Sequence, residues 1–228
     1  MLFDVDGTLF RSTDAEAICF PQACEEGLGI SNVSRDWDTY RHPSDTGIVE
    51  ELVETRLGRR AEPADFERVQ ECFLARLAAR FAEHPHECTE VPGALAAWNT
   101  AIALPDTVVG IATGGWSRTA RFKLATAGFA PGAIPFASAE DAVTKARIIT
   151  VAMARAKTLN PGTAFASITY VGDLAGDAEA ARSLGISFVA MDTAGALGET
   201  TPRFTDYRDA GAFFSAVAAL RGRPVSVR

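Results

Sequence analysis

The sequence predicts an α/β fold in which a core built on a parallel β-sheet, with helices on both faces, is interrupted by an inserted α-helical domain. Two observations support this fold class. Strand-like runs alternate with helical patterns from about Val91 onward, which is typical of parallel sheets. Between residues 13 and 90, in contrast, the chain reads as helical and no strand signal interrupts it.

The first strand is the apolar start of "MLFDVDGTLF", and the predicted helices follow it. Only three residues precede Asp4, so we expect either a short strand or a chain start that lies within it. "SDTGIVEELVETRLG" repeats apolar residues at helical spacing and meets Gly58 as a stop signal. "PADFERVQECFLARLAARFAE" begins with Pro63, and its apolar stripe consists of Phe66, Val69, Phe73, Leu77 and Phe81.

Strands and helices alternate in the rest of the chain. "TVVGIAT" is a buried-strand run followed by a helix to about Ala127, and "ASITYVGD" is a strand that ends in an acid. "AEAARSLG", "ISFVAMD" and "DAGAFFSAVAALR" then read as helix, strand and amphipathic helix. The simplest architecture is a Rossmann-like core of residues 1–11 and 91–228 with residues 12–90 inserted. Because the insert directly follows the opening aspartates, it could close over them.

Composition limits the classes of function. Hydrophobic residues make up 47% of the 228 positions, enough for a real core. The net charge of −7 argues against a general nucleic-acid-binding surface. No apolar run approaches the roughly 20 residues that span a bilayer, so we expect no membrane partner and a cytoplasmic location.

The four cysteines lack metal or disulfide spacing, and "HPHEC", with His84 and His86, reads as a structural connector.

Carboxylates and small polar residues follow the predicted strands. Asp4 and Asp6 come directly after the first strand, and the "TVVGIAT" strand ends in Thr113. In open parallel sheets, ligands bind beyond the carboxyl ends of the strands, so these residues are expected to converge on one site. The other members of this predicted site are Gly114, Gly115, Asp173 and Asp177.

Two familiar binding motifs do not explain the opening acids. An EF-hand calcium loop counted from Asp4 would need glycine and an acid where Leu9 and Ala15 stand. A dinucleotide-binding fold would need G-x-G-x-x-G after the first strand, and the sequence lacks it there. A plain polar turn explains Gly7 but not the acids that recur at another strand end.

Four segments resemble the haloacid dehalogenase superfamily of phosphohydrolases. They are "DVDGT", "IATGG", Lys145 and "GDLAGD", in that order along nearly the whole predicted core. The helical insert resembles the C1 cap of the phosphoglycolate-phosphatase-like branch. The resemblance implies a Mg²⁺-dependent phosphatase that hydrolyses a small-molecule phosphate monoester through an aspartyl-phosphate.

The resemblance also implies a role for each site residue. Asp4 would be the nucleophile, and Asp6 would donate and later accept a proton. Thr113, Gly114 and Gly115 would hold phosphate oxygens, helped by the following helix N-terminus. The implied Mg²⁺ ligands are Asp4, the backbone carbonyl of Asp6, Asp173 and Asp177, the last directly or through water.

Three basic residues compete for the role of the phosphate-neutralising cation. We favour Lys145 over the nearby Arg147 because of its position relative to "GDLAGD". Lys123, in "RFKLATAG", is expected to be a surface helix residue.

Substrate selection is expected from the insert and from the segment after Thr113. Candidate substrate-binding residues in "RHPSDTG" are Arg41, His42 and Thr46; helix capping by Ser44 or Asp45 explains the same stretch equally well. Trp116 and Arg118 are further candidates, although Trp116 fits core packing equally well. The expected partner is a small phosphorylated metabolite, and the sequence gives no prediction of the oligomeric state.

Other activities on the same fold remain alternatives. A sugar phosphomutase retains both aspartates of the opening motif, and a catalytically silent binding module would be expected to lose one. The presence of Asp6 disfavours carbon–halogen chemistry. Because residues 13–90 contain no lysine, a phosphonate hydrolase that forms a Schiff base there is set aside.

Overall fold

The computed structural model describes residues 1–11, 13–191 and 202–220. The strands in chain order are β1 Leu2–Phe3, β2 Phe10–Arg11, β3 Thr89–Glu90, β4 Gly110–Ala112, β5 Phe136–Ala137, β6 Thr169–Gly172, β7 Ser187–Met191 and β8 Arg203–Phe204. The helices are α1 Thr13–Leu28, α2 Asp45–Leu57, α3 Pro63–Glu83, α4 Ala94–Ala103, α5 Ser117–Thr126, α6 Lys145–Leu159, α7 Ala175–Ser183 and α8 Ala210–Leu220. Two short 3₁₀ helices cover Trp37–Thr39 and Pro85–Glu87.

Six parallel strands form the main sheet, in the order β5-β4-β1-β6-β7-β8. The two-residue β1 lies at its centre, where Phe3 pairs with Ile111 on one side and with Val171 on the other. The segments that follow β1, β4 and β6 therefore leave the sheet at the same edge. This register brings the "DVDGT", "TGG" and "GDLAGD" segments together.

Helices cover both faces of the sheet, which confirms the predicted fold class. Side chains alternate between the faces, as the two-residue period of a strand requires. Phe3, Ile111 and Val171 join the core that includes residues of α4, α5 and α8. The opposite face carries a second core under α6 and α7, built around Leu2, Ala112, Tyr170, Ile148, Ile149 and Ala181.

Between β2 and β3, all regular secondary structure of the described residues is helical, and we call the chain from the start of α1 to the end of α3 the helical segment. Ser44 caps α2 by accepting the Gly47 N–H, and Gly58 ends that helix at φ +65°. Helix α3 starts at Pro63, as predicted, and its apolar stripe is buried except for the half-buried Phe66.

Strands β2 and β3 flank the helical segment and pair with each other. Phe10 pairs with Glu90 and Arg11 with Thr89 in an antiparallel ribbon.

The division into a core of residues 1–11 and 91–228 and an insert of 12–90 stays a prediction. Positions 192–201 and 221–228 of that core lie outside the described residues. Within the described part, no helix combines the length and apolarity needed to cross a bilayer.

Candidate active site

The loop after β1 holds the first pair of acids. The Asp4 N–H donates to the Val171 carbonyl at 2.9 Å, which continues the sheet register by one residue. The Asp4 side chain is buried, and its Oδ1 accepts the Val5 N–H at 2.8 Å. Asp4 is therefore held in place by a neighbouring strand and by its own loop.

Gly7 is required by the geometry of this loop. Its φ is +70°, a conformation that disfavours side chains, and a Cβ there would lie 2.0 Å from Asp173 Oδ2. The glycine thus allows the β1 and β6 loops to meet. The adjacent Thr8 is buried, and its Oγ1 lies 3.4 Å from Asp173 Oδ1.

Lys145, the first residue of α6, reaches two of the acids. Its Nζ lies 2.7 Å from Asp4 Oδ2 and 3.1 Å from Asp177 Oδ1. Burial disfavours the charged form of this lysine, but Asp177 and Asp4 raise its pKa above the ordinary value. Arg147, the alternative cation, is exposed and is not among the residues that line the cavity described below.

Asp4, Asp173 and Asp177 form a compact acidic cluster. Each offers a carboxylate oxygen, and the three oxygens lie within 4.8 Å of one another. Burial raises the pKa of Asp4 to about 6, with Lys145 opposing the shift and Asp177 adding to it. Burial and the charges of Asp177 and Asp4 raise the pKa of Asp173 well above its usual range. A cation bound here would offset this repulsion.

The donor set fits Mg²⁺, which prefers carboxylate and carbonyl oxygens. Asp4 and Asp173 are the best placed ligands. Both oxygens of Asp177 already have partners: Oδ1 contacts Lys145, and Oδ2 accepts the N–H groups of Asp173 and Leu174 at 3.2 Å each. Asp177 is therefore well placed to hold the Asp173 loop in position beside the metal site.

The segment after β4 brings a hydroxyl and two glycines to the same edge. Thr113 is buried, and its Oγ1 accepts the Gly115 N–H at 3.1 Å. The Gly114 carbonyl accepts the Asp45 N–H at 2.9 Å, which connects the start of α2 to the end of β4. Thr113, Gly114 and Gly115 all line the cavity next to Asp4 and Lys145.

Lys123 does not lie on the surface, so that prediction is wrong. Its side chain is 0% exposed, and its Nζ donates to Asp6 Oδ2 at 2.5 Å and also to Glu16 Oε1. Burial disfavours its charged form, but Asp6 and Glu16 raise its pKa above the ordinary value. A signal was present in the sequence, because Lys123 shares the buried stripe of α5 with Ala120 and Leu124.

Ion pairs to Asp6 and Glu16 join two parts of the molecule. Asp6 belongs to the β1 loop, whereas Glu16 lies on α1 in the helical segment. Lys123 comes from α5 and bridges the two acids. The second aspartate of the opening motif is therefore positioned by a contact that also holds the helical segment against the sheet.

The three substrate-binding candidates of "RHPSDTG" are not among the residues that line the cavity. Arg41 is exposed and pairs with Glu54 at 3.5 Å. The His42 carbonyl accepts the Ser44 N–H at 2.8 Å. Thr46 Oγ1 accepts the Nε1–H of Trp116 at 2.9 Å, and Trp116 is buried in the core.

Asp45 faces the cavity instead of these three residues. Its Oδ2 accepts the Trp116 N–H at 2.8 Å. Burial raises the pKa of Asp45 to about 7 although Lys123 opposes the shift. The capping explanation for this stretch holds for Ser44, which leaves the neighbouring carboxylate available to the cavity.

One cavity of about 110 Å³ connects the strand ends to the helical segment. Its polar lining consists of Asp4, Asp6, Glu16, Asp45, Thr113, Lys145 and Asp173. The rest of its lining consists of Gly7, Phe20, Trp37, Pro43, Ile48, Phe73, Gly114, Gly115 and Leu174. Sequence reasoning missed Glu16 and Phe20 as site residues, and the helical pattern that places them on adjacent turns of α1 was their only signal.

The "HPHEC" segment forms the 3₁₀ helix Pro85–Glu87 and a short connection. His84, His86 and Glu87 bring ligand atoms within 4.8 Å of one another, but Arg80 binds both oxygens of Glu87. The four cysteines are free thiols; Cys19 and Cys24 are buried, whereas Cys72 and Cys88 are half-buried.

Several solved structures resemble this chain. CbbY from Rhodobacter sphaeroides, in complex with phosphate, is 17% identical with a TM-score of 0.65, covering 92% of this chain and 95% of that one. A HAD hydrolase of family IA, variant 3, from Entamoeba histolytica is 14% identical with a TM-score of 0.66, covering 95% and 98%. A hydrolase from Pseudomonas syringae is 17% identical with a TM-score of 0.62, covering 94% and 89%. These likenesses support the fold.

The family assignment comes from the sequence itself. No curated protein matches the chain significantly. A model of the haloacid dehalogenase-like hydrolase family matches residues 1–191, which include all four segments on which the resemblance was based. The chain therefore belongs to the haloacid dehalogenase-like hydrolase family, as its sequence predicted.

Proposed function

We propose that the protein is a Mg²⁺-dependent phosphatase that hydrolyses a small phosphate monoester through an aspartyl-phosphate on Asp4. The observation that carries this proposal is the meeting of Asp4, Asp6, Thr113 and Lys145 around one cavity at the carboxyl edge of the sheet. Membership of a hydrolase family agrees with it. The helical segment would act as the cap of this cavity.

The first step would transfer the phosphoryl group to the protein. A carboxylate oxygen of Asp4 attacks phosphorus, and the bond between phosphorus and the alcohol oxygen breaks. Asp6 gives its proton to the departing oxygen, so the alcohol leaves neutral. Lys145, 2.7 Å from Asp4, balances negative charge on the nucleophile and on the phosphoryl oxygens.

The second step would release phosphate. Asp6, now ionised, takes a proton from a water molecule whose oxygen attacks the phosphorus of the aspartyl-phosphate. The bond between Asp4 and phosphorus breaks, which restores both carboxyl groups. Thr113 and the backbone N–H of Gly114 would bind the phosphoryl oxygens in both steps.

Asp4, Asp173 and the Asp6 carbonyl are the ligands that we propose for Mg²⁺, with Asp177 directly or through water. When bound, the ion would neutralise charge and let a phosphate dianion approach several acids. The raised pKa of Asp4 and of Asp173 supports a cation at this position.

Hydrolysis of para-nitrophenyl phosphate with and without Mg²⁺ tests the proposal. We expect Mg²⁺-dependent release of inorganic phosphate that Asp4→Asn and Asp6→Asn abolish in folded protein. Lys145→Ala should lose roughly 100-fold in kcat or more, whereas Arg147→Ala, its exposed neighbour on α6, should keep most of the activity. A folded protein that is inactive on a broad panel of phosphate esters would instead be a silent binding module.

A further inference from the structure

Aromatic side chains of the helical segment line the cavity together with the acids at the strand ends. Phe20 of α1 packs edge-to-face on Phe73 of α3, with ring centroids 5.3 Å apart, and on Trp37, with centroids 5.8 Å apart. Ile48 of α2 adds an aliphatic surface. We call Phe20, Trp37, Ile48 and Phe73 the apolar wall. Edge-to-face contacts fix these rings. Phe20, Ile48 and Phe73 are almost fully buried, so the half-buried Trp37 offers most of the apolar area that a ligand could contact.

Most of the ionisable side chains that line the cavity are acids. Five acids line it, namely Asp4, Asp6, Glu16, Asp45 and Asp173. Lys145 is the one basic residue among the described lining residues, and it already contacts Asp4 and Asp177. Lys123 is likewise committed to Asp6 and Glu16.

The arginines of the helical segment are not among the lining residues. Arg41 pairs with Glu54, and Arg59 and Arg68 both bind Asp65. Arg76 and Arg80 pair with Glu26 and Glu87. A carboxylate or a second phosphate on the substrate would therefore meet acids and apolar surface rather than a basic partner among the described residues.

We propose that the substrate is a phosphate monoester of a small, uncharged alcohol whose apolar carbon atoms pack against Phe20, Trp37, Ile48 and Phe73. This inference rests on the phosphatase function proposed above and concerns the same cavity. Phosphorylated carboxylic acids and bisphosphates are poor substrates, because their second anion is desolvated without a counter-charge. The cavity volume of about 110 Å³ favours a short alcohol over a long one.

Three esters of primary alcohols separate charge from size. Ethyl phosphate is the small reference, and isobutyl phosphate and 2-phosphoglycolate replace its methyl group by an isopropyl group or by a carboxylate of the same heavy-atom count. We expect kcat/KM with Mg²⁺ to be roughly 10-fold higher for isobutyl phosphate than for ethyl phosphate. For 2-phosphoglycolate we expect it to be roughly 100-fold lower than for isobutyl phosphate.

Two variants assign these preferences to the cavity. Trp37→Ala should lower the ratio of kcat/KM for isobutyl over ethyl phosphate by roughly fivefold, because it removes part of the apolar wall. Phe73→Leu, which keeps a large apolar side chain, provides a second test of the same ratio if Trp37→Ala does not fold. At pH 8, above the pKa of about 7 of the Asp45 carboxyl, Asp45→Asn should raise kcat/KM for 2-phosphoglycolate relative to ethyl phosphate by roughly threefold or more, since it removes one of the facing charges.

The inference is overturned if 2-phosphoglycolate is hydrolysed as well as ethyl phosphate, or if isobutyl phosphate is no better than ethyl phosphate. Either result leaves the phosphatase function intact, because phosphate is still released. If neither these esters nor para-nitrophenyl phosphate release phosphate, the phosphatase function itself fails and this inference fails with it.

Discussion

The two sides of the cavity are built in opposite ways. On the sheet side, acids, a hydroxyl and glycines stand within a few residues of strand ends, and backbone hydrogen bonds hold them. The opposite side is assembled from α1, α2, α3 and a 3₁₀ helix, and each contributes one or two side chains. The chemistry is therefore encoded locally, whereas the shape and charge that meet the leaving group depend on tertiary packing.

Lys123 connects the two sides, and its replacement is expected to have the largest effect. Lys123→Met leaves Asp6 without its 2.5 Å partner and leaves Glu16 buried beside it. We expect kcat for para-nitrophenyl phosphate to fall roughly 100-fold with a smaller change in KM, because a misplaced proton donor slows chemistry more than binding. Steady-state kinetics of purified, folded protein measure this split.

Three further variants separate a positioning role of Lys123 from a purely structural one. Lys123→Arg should recover part of kcat. Combining Lys123→Met with Glu16→Gln should recover thermal stability but not kcat, because the repulsion between Glu16 and Asp6 is relieved while the contact from Lys123 to Asp6 is still missing. Lys157→Met, at an exposed position of α6, should behave as the original protein. Near-normal kcat in Lys123→Met would contradict the positioning role.

Replacement of Gly7 tests the sheet side alone. Gly7→Ala should displace Asp173, since the new Cβ would lie 2.0 Å from its Oδ2. We expect roughly a 10-fold or greater rise in the Mg²⁺ concentration needed for half-maximal activity, measured by titration of the phosphatase rate.

Gly29→Ala is the matched control, because Gly29 has the same φ of +70° but nothing lies within 4 Å of the position that its new methyl group would take. It should lower the free energy of unfolding by about 1–2 kcal/mol through backbone strain while the Mg²⁺ requirement stays unchanged. Equal Mg²⁺ titrations for the two alanine variants would show that the approach of Gly7 to Asp173 is unimportant.

Asp45 tests the helical side, with the smallest expected effect. Burial raises its pKa to about 7 from an ordinary value near 4. Between about pH 4 and pH 7 the folded protein keeps a proton on Asp45 that the unfolded chain has released. The contribution of protonated Asp45 to the free energy of unfolding is therefore present at low pH, and it is lost as the pH rises through 7.

Asp45→Asn removes the titrating carboxyl and with it the pH-dependent loss of stability. The amide oxygen of the asparagine can still accept the Trp116 N–H. The free energy of unfolding of the variant, relative to the original protein, should rise by about 1–3 kcal/mol between pH 5 and pH 8. Urea unfolding at a series of pH values measures it. Asp106→Asn, which removes an exposed carboxylate, should show a difference that is nearly constant over the same range. A constant difference for Asp45→Asn as well would contradict the prediction.

The sequence was sufficient to predict the fold class and the acids of the sheet side. Each of those residues directly follows a strand run, so the parallel register alone brings them together. The stripe of α3 was likewise predictable from its helical spacing. Local sequence patterns of this kind predict the structure correctly because backbone hydrogen bonds determine the strands and helices that they describe.

The helical side could not be predicted in the same way. Glu16 and Lys123 are 107 positions apart, and no local sequence pattern links them. Lysines are rarely buried, so the composition of α5 favoured an exposed Lys123, although its position in the buried stripe indicated otherwise. The candidates Arg41 and His42 were chosen because they are polar and precede a helix, yet the residues that line the cavity there are mostly aromatic and aliphatic.

The ribbon of β2 and β3 determines how the helical segment is attached. The chain leaves the sheet region at Arg11 and returns at Thr89, and these two residues are direct partners in the antiparallel pair. A different polypeptide joined at Arg11 and Thr89 would begin and end at neighbouring positions, so it would not have to bridge a distance between them. We expect the register of the six-stranded sheet to stay unchanged. In protein engineering terms, we expect the ribbon to serve as a graft junction for a different helical segment, provided that the new segment keeps an acid in the place of Glu16 to pair with Lys123.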